Sequence, residues 1–320
     1  MRITRFLIGI LPILLATAGT LSCVTQPLVT PVASPGSVID PANLERHVRM
    51  LSVTLHPRSV DNPANLDRAA DYVLGQLRAT GAETSEQPVH ADDKRYRNLI
   101  ARFGPRDGPL IVIGAHYDSC GDTPGADDNA SGVAGLLELA RLLAAHPPKH
   151  AVELVAYTLE EPPYFRTDSM GSVWHARSLS EARREVRLML SLEMIGFYRD
   201  SGNSQRYPLA PLRWVYPDEG NFIAIVAPFG DFGATRRVKA LFLGASDLPA
   251  VSINAPRFIS GVDFSDHASY WRYKMPAMMI TDTAFLRNAN YHEAGDTPET
   301  LDYVRMAKVV RAVHAVAMEF

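Results

Sequence analysis

GPLIVIGAHYDSCGDTPGADDNASGVAGLLELARLLAAH, residues 108–146, decides the architecture. PLIVIGA is a nearly continuous apolar run, as expected of a strand covered on both faces. ASGVAGLLELARLLAAH repeats its apolar residues at helical spacing and ends at Pro147-Pro148, with Asp128 or Asn129 available as its cap. Between them, HYDSCGDTPGADDNASG, residues 116–132, concentrates one His and four Asp. Carboxylates at the edge of a buried sheet repel one another and lose hydration. No Lys or Arg occurs between Arg106 and Arg141 to compensate them. A bound metal ion is the natural candidate.

The same grammar extends in both directions. PANLERHVRMLS and PANLDRAADYVLGQLRATG read as helices, the second stopping at Gly81. RNLIARF, VELVAYT, RLMLSLEM, NFIAIVAP and PAMMITDT read as further strands, and TPETLDYVRMAKVVRAVHAVAM as a closing helix with Thr297 as N-cap and Pro298 at its first position. Strands alternating with helices predict an α/β fold, a three-layer α/β/α sandwich around a central, mostly parallel mixed sheet. Residues 41–320 are expected to form one domain. The long stretch 196–221 has no clear period; its Tyr198, Tyr207, Trp214 and Tyr216 either contact a substrate or pack the loop down.

Composition is that of an ordinary globular protein, 47% hydrophobic and 21% charged. A net charge of −3 argues against a nucleic-acid partner, and EARREVR reads as a solvated helix face. At the start, Arg2 and Arg5 precede FLIGILPILLATAG, which with the small residues after it has the pattern of an export signal over residues 1–22. TLSC resembles a bacterial lipoprotein site with Cys23 as the lipidated residue, and PLVTPVASPGSV within 23–40 reads as a Pro-rich linker. The protein is therefore expected to be exported, periplasmic or extracytoplasmic, touching a membrane only through its N-terminal signal or lipid. Cys120 then stands alone, without a nearby positive group to activate it, and reads as a small packed residue.

In parallel sheets ligands gather at the carboxyl ends of strands. His116 and Asp118 follow PLIVIGA, Glu160 and Glu161 follow VELVAYT, Glu193 ends RLMLSLE, and His292 lies between PAMMITDT and the last helix. Alone, an H-x-D pair is ordinarily a hydrogen-bonded pair and paired glutamates a solvated strand end. Together at one rim, imidazoles and carboxylates are the donor set of a catalytic zinc site.

Four blocks in order, GAHYDS, PGADDNASG, YTLEE and NANYHEAGDT, make the chain resemble the M28 family of zinc peptidases from about Asn98 to Tyr303. That family includes bacterial aminopeptidases and glutaminyl cyclases. The resemblance implies two Zn²⁺ ions. His116 would bind one, Asp128 would bridge both, Glu161 would bind the zinc opposite His116, and His292 would complete the shell of that second zinc. Glu193 stands where the family has Asp. Glu160 would be the general base and Asp118 would orient the His116 imidazole. Asp266 and His267 in VDFSDHASYW would support the site or face the oxyanion.

Two departures stand out. Glu193 is one methylene longer than Asp, and EEPPYFRTDSMGS is longer than the family's equivalent, with Tyr164 and Phe165 either lining a pocket or covering the sheet edge. The leading expectation is a two-zinc aminopeptidase acting on peptide substrates. A single-zinc glutaminyl cyclase is the alternative, and a non-catalytic ectodomain of the same fold the third reading.

Overall fold

The computed structural model describes residues 19–34 and 37–320; all but the last four residues of the expected export signal lie outside them. Its centre is an eight-stranded sheet in the order β1-β2-β4-β3-β5-β8-β6-β7. The strands are β1 (Glu83–Ala91), β2 (Lys94–Phe103), β3 (Leu110–His116), β4 (Ala151–Tyr157), β5 (Val186–Glu193), β6 (Ile223–Pro228), β7 (Ala250–Ala255) and β8 (Ala277–Thr281). The helices are α1 (Pro41–Arg49), α2 (Pro63–Ala79), α3 (Gly132–Ala145), α4 (Gly171–Glu181), α5 (Phe232–Ala245), α6 (His267–Arg272) and α7 (Tyr303–Glu319).

β4, β3, β5 and β8 are parallel neighbours, while β1, β2 and β6 run antiparallel to a neighbour. The four parallel strands are buried at every or nearly every position, which is why they read as apolar runs. Leu44, Val73, Leu136, Val238 and Val313, from α1, α2, α3, α5 and α7, pack into one core on one face. Leu179 of α4 with Tyr270 and Trp271 of α6 belong to a second core with the opposite set of strand residues. This is the α/β/α sandwich expected from the sequence.

The closing helix starts later than its sequence suggests. Pro298–Thr300 forms a 3₁₀ turn, Leu301 is extended, and Asp302 caps α7 by accepting the Arg305 N–H at 2.9 Å. The Asp302 N–H is meanwhile held by Gly196 O, which draws the chain out of helical geometry before the true start.

The segment 23–40, read as a spacer, is laid onto the domain where it is described. Gln26 Nε2 donates to Asn254 Oδ1 at 2.7 Å, and Gln26 Oε1 accepts from Ser252 at 2.6 Å. Lys239 Nζ donates to Gln26 O at 2.9 Å, and the Val32 N–H to Ala240 O at 2.9 Å. A Cβ on Gly244 would lie 1.8 Å from Val32 O, so only glycine admits this approach. Among the described residues, no helix is long and apolar enough to cross a membrane.

Candidate metal centre

Because β3, β4, β5 and β8 run in parallel, their carboxyl ends form one rim. His116 closes β3, Glu160 and Glu161 follow β4, Glu193 closes β5, and His292 comes from the loop after β8. Asp128 sits in the irregular turn Ala126–Ser131 that enters α3. All are buried except His292, whose side chain is 28% exposed.

Asp128 is the hinge of the arrangement. Its Oδ1 lies 3.3 Å from His116 Nε2, and its Oδ2 3.2 Å from His292 Nε2. Glu193 Oε2 is 3.5 Å from His116 Nε2, whereas Glu161 Oε2 is 3.2 Å from His292 Nε2. The donors thus divide into His116, Asp128, Glu193 on one side and His292, Asp128, Glu161 on the other. Glu160 Oε2, 3.9 Å from His116 Nε2, lies beside them.

These residues fit divalent cations. His116 Nε2 and Glu161 Oε1 are buried without a hydrogen-bond partner, an arrangement that is costly unless a cation satisfies them. Burial, then the neighbouring carboxylates, pushes Glu160 well up and Glu161 to about 7. Burial opposes ionisation of His116 as well, but Glu193 and Glu160 outweigh it and raise the imidazole. Burial would also raise Asp128, yet the two imidazoles that face its oxygens hold it low. The acids therefore lean on protons where metal charge would serve them.

A second layer of contacts fixes these groups. Asp118 lies against the His116 ring, with its backbone oxygen 3.2 Å and its carboxylate 3.5 Å from Nδ1. That carboxylate also accepts the backbone N–H groups of Glu160 and Glu161, at 3.3 and 3.0 Å. The loop after β4 offers two unpaired donors there, and a carboxylate has an oxygen for each. Asp296 does the same for Asp127 and Asp128, at 2.9 and 3.0 Å. Asn129 accepts from Gly132 and Met194 and donates to Leu192 O, so that Asn129, rather than Asp128, serves the first turn of α3. Ser265 donates to Glu193 Oε2 at 2.6 Å.

The cation missing from the acid-rich sequence arrives from the segment between α1 and α2. Arg58 is fully buried and donates to the carbonyls of Leu51, Tyr117, Pro124 and Gly125. A Cβ on Gly125, which has φ of 58°, would meet Asp128 O at 2.3 Å and Arg58 Nη2 at 2.9 Å. Nothing local to residue 58 in the sequence signals this role. Asp296, by contrast, lies inside the NANYHEAGDT block.

Other expected residues divide. Asp266 is buried near the cluster and raised to about 7 by burial, with His116 opposing. His267 does not join: its Nε2 is 2.8 Å from Val262 O and its ring stands edge-on to Trp271. Tyr207 and Tyr216 stack and help line an apolar cavity of about 110 Å³ beside Glu193, together with Leu212, Phe264, Phe285 and Tyr291. Tyr198 is buried and Trp214 is 83% exposed, so neither lines it. Tyr164 donates to Asp92 at the sheet edge, and Phe165 packs on Phe264. Cys120, read from the sequence as a small packed residue, stands beside Glu161 and His292.

With a rim of two imidazoles and several carboxylates on a mixed sheet, the chain belongs to peptidase family M28, whose model matches residues 98–317. It is 52% identical over 296 residues to the uncharacterized protein YfbL of Escherichia coli K12, covering 90% of this chain and 91% of that one. Leucine aminopeptidase 1 of Coccidioides posadasii is 27% identical over 69% of this chain, and only 55% of that longer protein is covered. Among solved structures, the LapA aminopeptidase of Legionella pneumophila superposes with a TM-score of 0.70 at 21% identity, over 87% of this chain and 71% of LapA. A Bacteroides thetaiotaomicron glutaminyl cyclase does so with 0.65 at 18% identity, over 89% of this chain and 100% of the cyclase. At such identities these structures speak for the fold.

Proposed function

We propose that the chain is a zinc-dependent aminopeptidase with a two-zinc site, acting on peptides outside the cytoplasm. The observation that carries this reading is Asp128, whose two oxygens face two different imidazoles, each flanked by its own glutamate. His116, Asp128 and Glu193 would hold one ion, and Asp128, Glu161 and His292 the other. When bound, zinc acidifies water and offsets charge that develops on a carbonyl oxygen.

The chain's own groups supply the rest. Glu160, buried beside the donors and raised by that burial, is placed to take a proton from the attacking water and return it to the departing amine. The carboxylate of Asp118 fixes the backbone from which Glu160 projects. The apolar cavity beside Glu193 accepts an uncharged side chain of the peptide and keeps water from the rim. The buried acids, with no cationic patch among them, suit a peptide rather than a nucleic acid. Export and a lipid at Cys23 complete the proposal, with the membrane reached only through the N-terminus.

The second reading is a single-zinc glutaminyl cyclase. It is favoured by the Ser265 hydroxyl on Glu193 Oε2, which gives this carboxylate a protein partner on the His116 side. Purified protein assayed against aminoacyl chromogenic substrates and an N-terminal Gln peptide, with metal content measured on the same sample, separates the two. Release of amino acid with two zinc ions per chain supports the first; pyroglutamate formation with one zinc overturns it.

A further inference from the structure

Cys120 lies on the loop between β3 and α3, half-buried and in no disulfide. Its Sγ, a carboxylate oxygen of Glu161 and a ring nitrogen of His292 all lie within 4.8 Å of one another. Donors on one tetrahedral zinc stand about 3.5 Å apart when one is sulfur, given Zn–S near 2.3 Å and Zn–N or Zn–O near 2.0 Å. A side-chain adjustment on the order of 1 Å therefore closes the three onto a common ion. The second, independent observation is Glu161 Oε1, buried without a hydrogen-bond partner in a residue only 4% exposed. Nothing in the reaction described above uses Cys120.

We infer that Cys120, as a thiolate, is a ligand of the metal on the His292 side. This rests on the two-zinc reading. Asp128, Glu161 and His292 provide three donors, and zinc in proteins is ordinarily four-coordinate. The thiolate supplies the fourth. It also adds a negative charge to those of Asp128, Glu161 and Glu193, so that two dications are balanced by protein groups alone. The two sites then differ in kind. The His116 site has only imidazole and carboxylate donors and keeps a position for water. The His292 site is filled by protein and carries a soft donor that favours zinc over manganese or magnesium.

The test is cobalt substitution, with a readout independent of turnover. The Cys23→Ser protein, which removes the other thiol, is stripped with a chelator and loaded with Co²⁺. Cobalt bound by sulfur gives an intense near-ultraviolet charge-transfer band that cobalt bound by nitrogen and oxygen lacks. The band is expected to appear with one of two cobalt equivalents and to vanish in both Cys120→Ser and Cys120→Ala. In the Cys23→Ser protein, metal loading should slow alkylation of Cys120 by on the order of tenfold, because a coordinated thiolate is shielded. Two bound cobalt ions without the band, and unprotected Cys120, would overturn the thiolate ligand and leave the two-metal reading standing. One bound cobalt without the band would overturn both.

Discussion

Asp118 Oδ2 accepts the Glu161 N–H at 3.0 Å, while its other oxygen accepts the Glu160 N–H at 3.3 Å. One carboxylate on the β3 side thereby sets the backbone of two adjacent glutamates on the β4 side. Asp118→Ala removes both acceptors and should lower kcat by about 10²-fold or more, since small misplacements of catalytic groups cost that much. Asp118→Asn keeps one carbonyl oxygen and should recover part of the loss. Steady-state kinetics on metal-replete protein checks this; an unchanged kcat in Asp118→Ala would remove the positioning role.

Glu160→Gln should leave fold and metal content unchanged and cut activity by about 10²–10⁴-fold, the ordinary contribution of a positioned base. Elemental analysis and kinetics on one preparation decide it. Parallel loss of metal would make Glu160 a ligand.

Glu193 and Asp128 should separate by stoichiometry. Glu193→Ala removes a donor from the His116 side and should cost one zinc, whereas Asp128→Ala removes the shared carboxylate and should cost both. Glu193→Asp should retain two zinc ions, because both acids are ordinary zinc ligands. Titration with a chromophoric chelator reads the three variants side by side.

Arg58→Met would leave the carbonyls of Leu51, Tyr117, Pro124 and Gly125 without a donor and strip a positive charge from beside the acids. A loss of at least about 3 kcal/mol in unfolding free energy is expected, from unsatisfied buried acceptors alone. The loss should be larger without metal than with it, since bound cations replace part of the missing charge. Denaturant melts with and without chelator measure both terms.

Burial lowers His47 and His314 each from 6.5 to about 4, with Arg46 and His146 respectively adding to the shift. Both are neutral when folded. Between pH 6.5 and about 4 the unfolded chain binds more protons, so stability should fall as pH falls through that window. At pH 4 each site accounts for at most roughly 3 kcal/mol. In chelator throughout, His47→Gln and His314→Gln should each flatten the slope of stability against pH; parallel slopes would refute the linkage.

How far the sequence carried depended on whether a residue acts through its own neighbours. β3, β4, β5 and β8 are mostly apolar because both faces are covered, and their ends gathered the candidate metal-binding residues where strand order alone puts them. β1 escaped notice because it is a polar edge strand with Pro88 inside it, and β7 because six residues carry little pattern. Arg58 was invisible because its partners are backbone carbonyls, three of them from the loop after β3. The neighbours of Cys120 were hidden for a related reason: Glu161 and His292 come from two distant loops. His267 was drawn in by proximity to Asp266, although helix α6 turns its ring toward Trp271.

The docking of residues 23–34 onto α5 and β7 bears on more than packing. A free spacer the length of 23–40 would span roughly 20–25 Å on average and let a tethered domain roam. Gln26, three residues from Cys23 and hydrogen-bonded to its carbonyl, is instead locked to Ser252 and Asn254. A lipid at Cys23 would then pin the β7 edge to the bilayer at a set height and bearing. Anchored in that way, the domain would be bolted down rather than fishing on a line, and would reach only what comes within the standing distance of its rim.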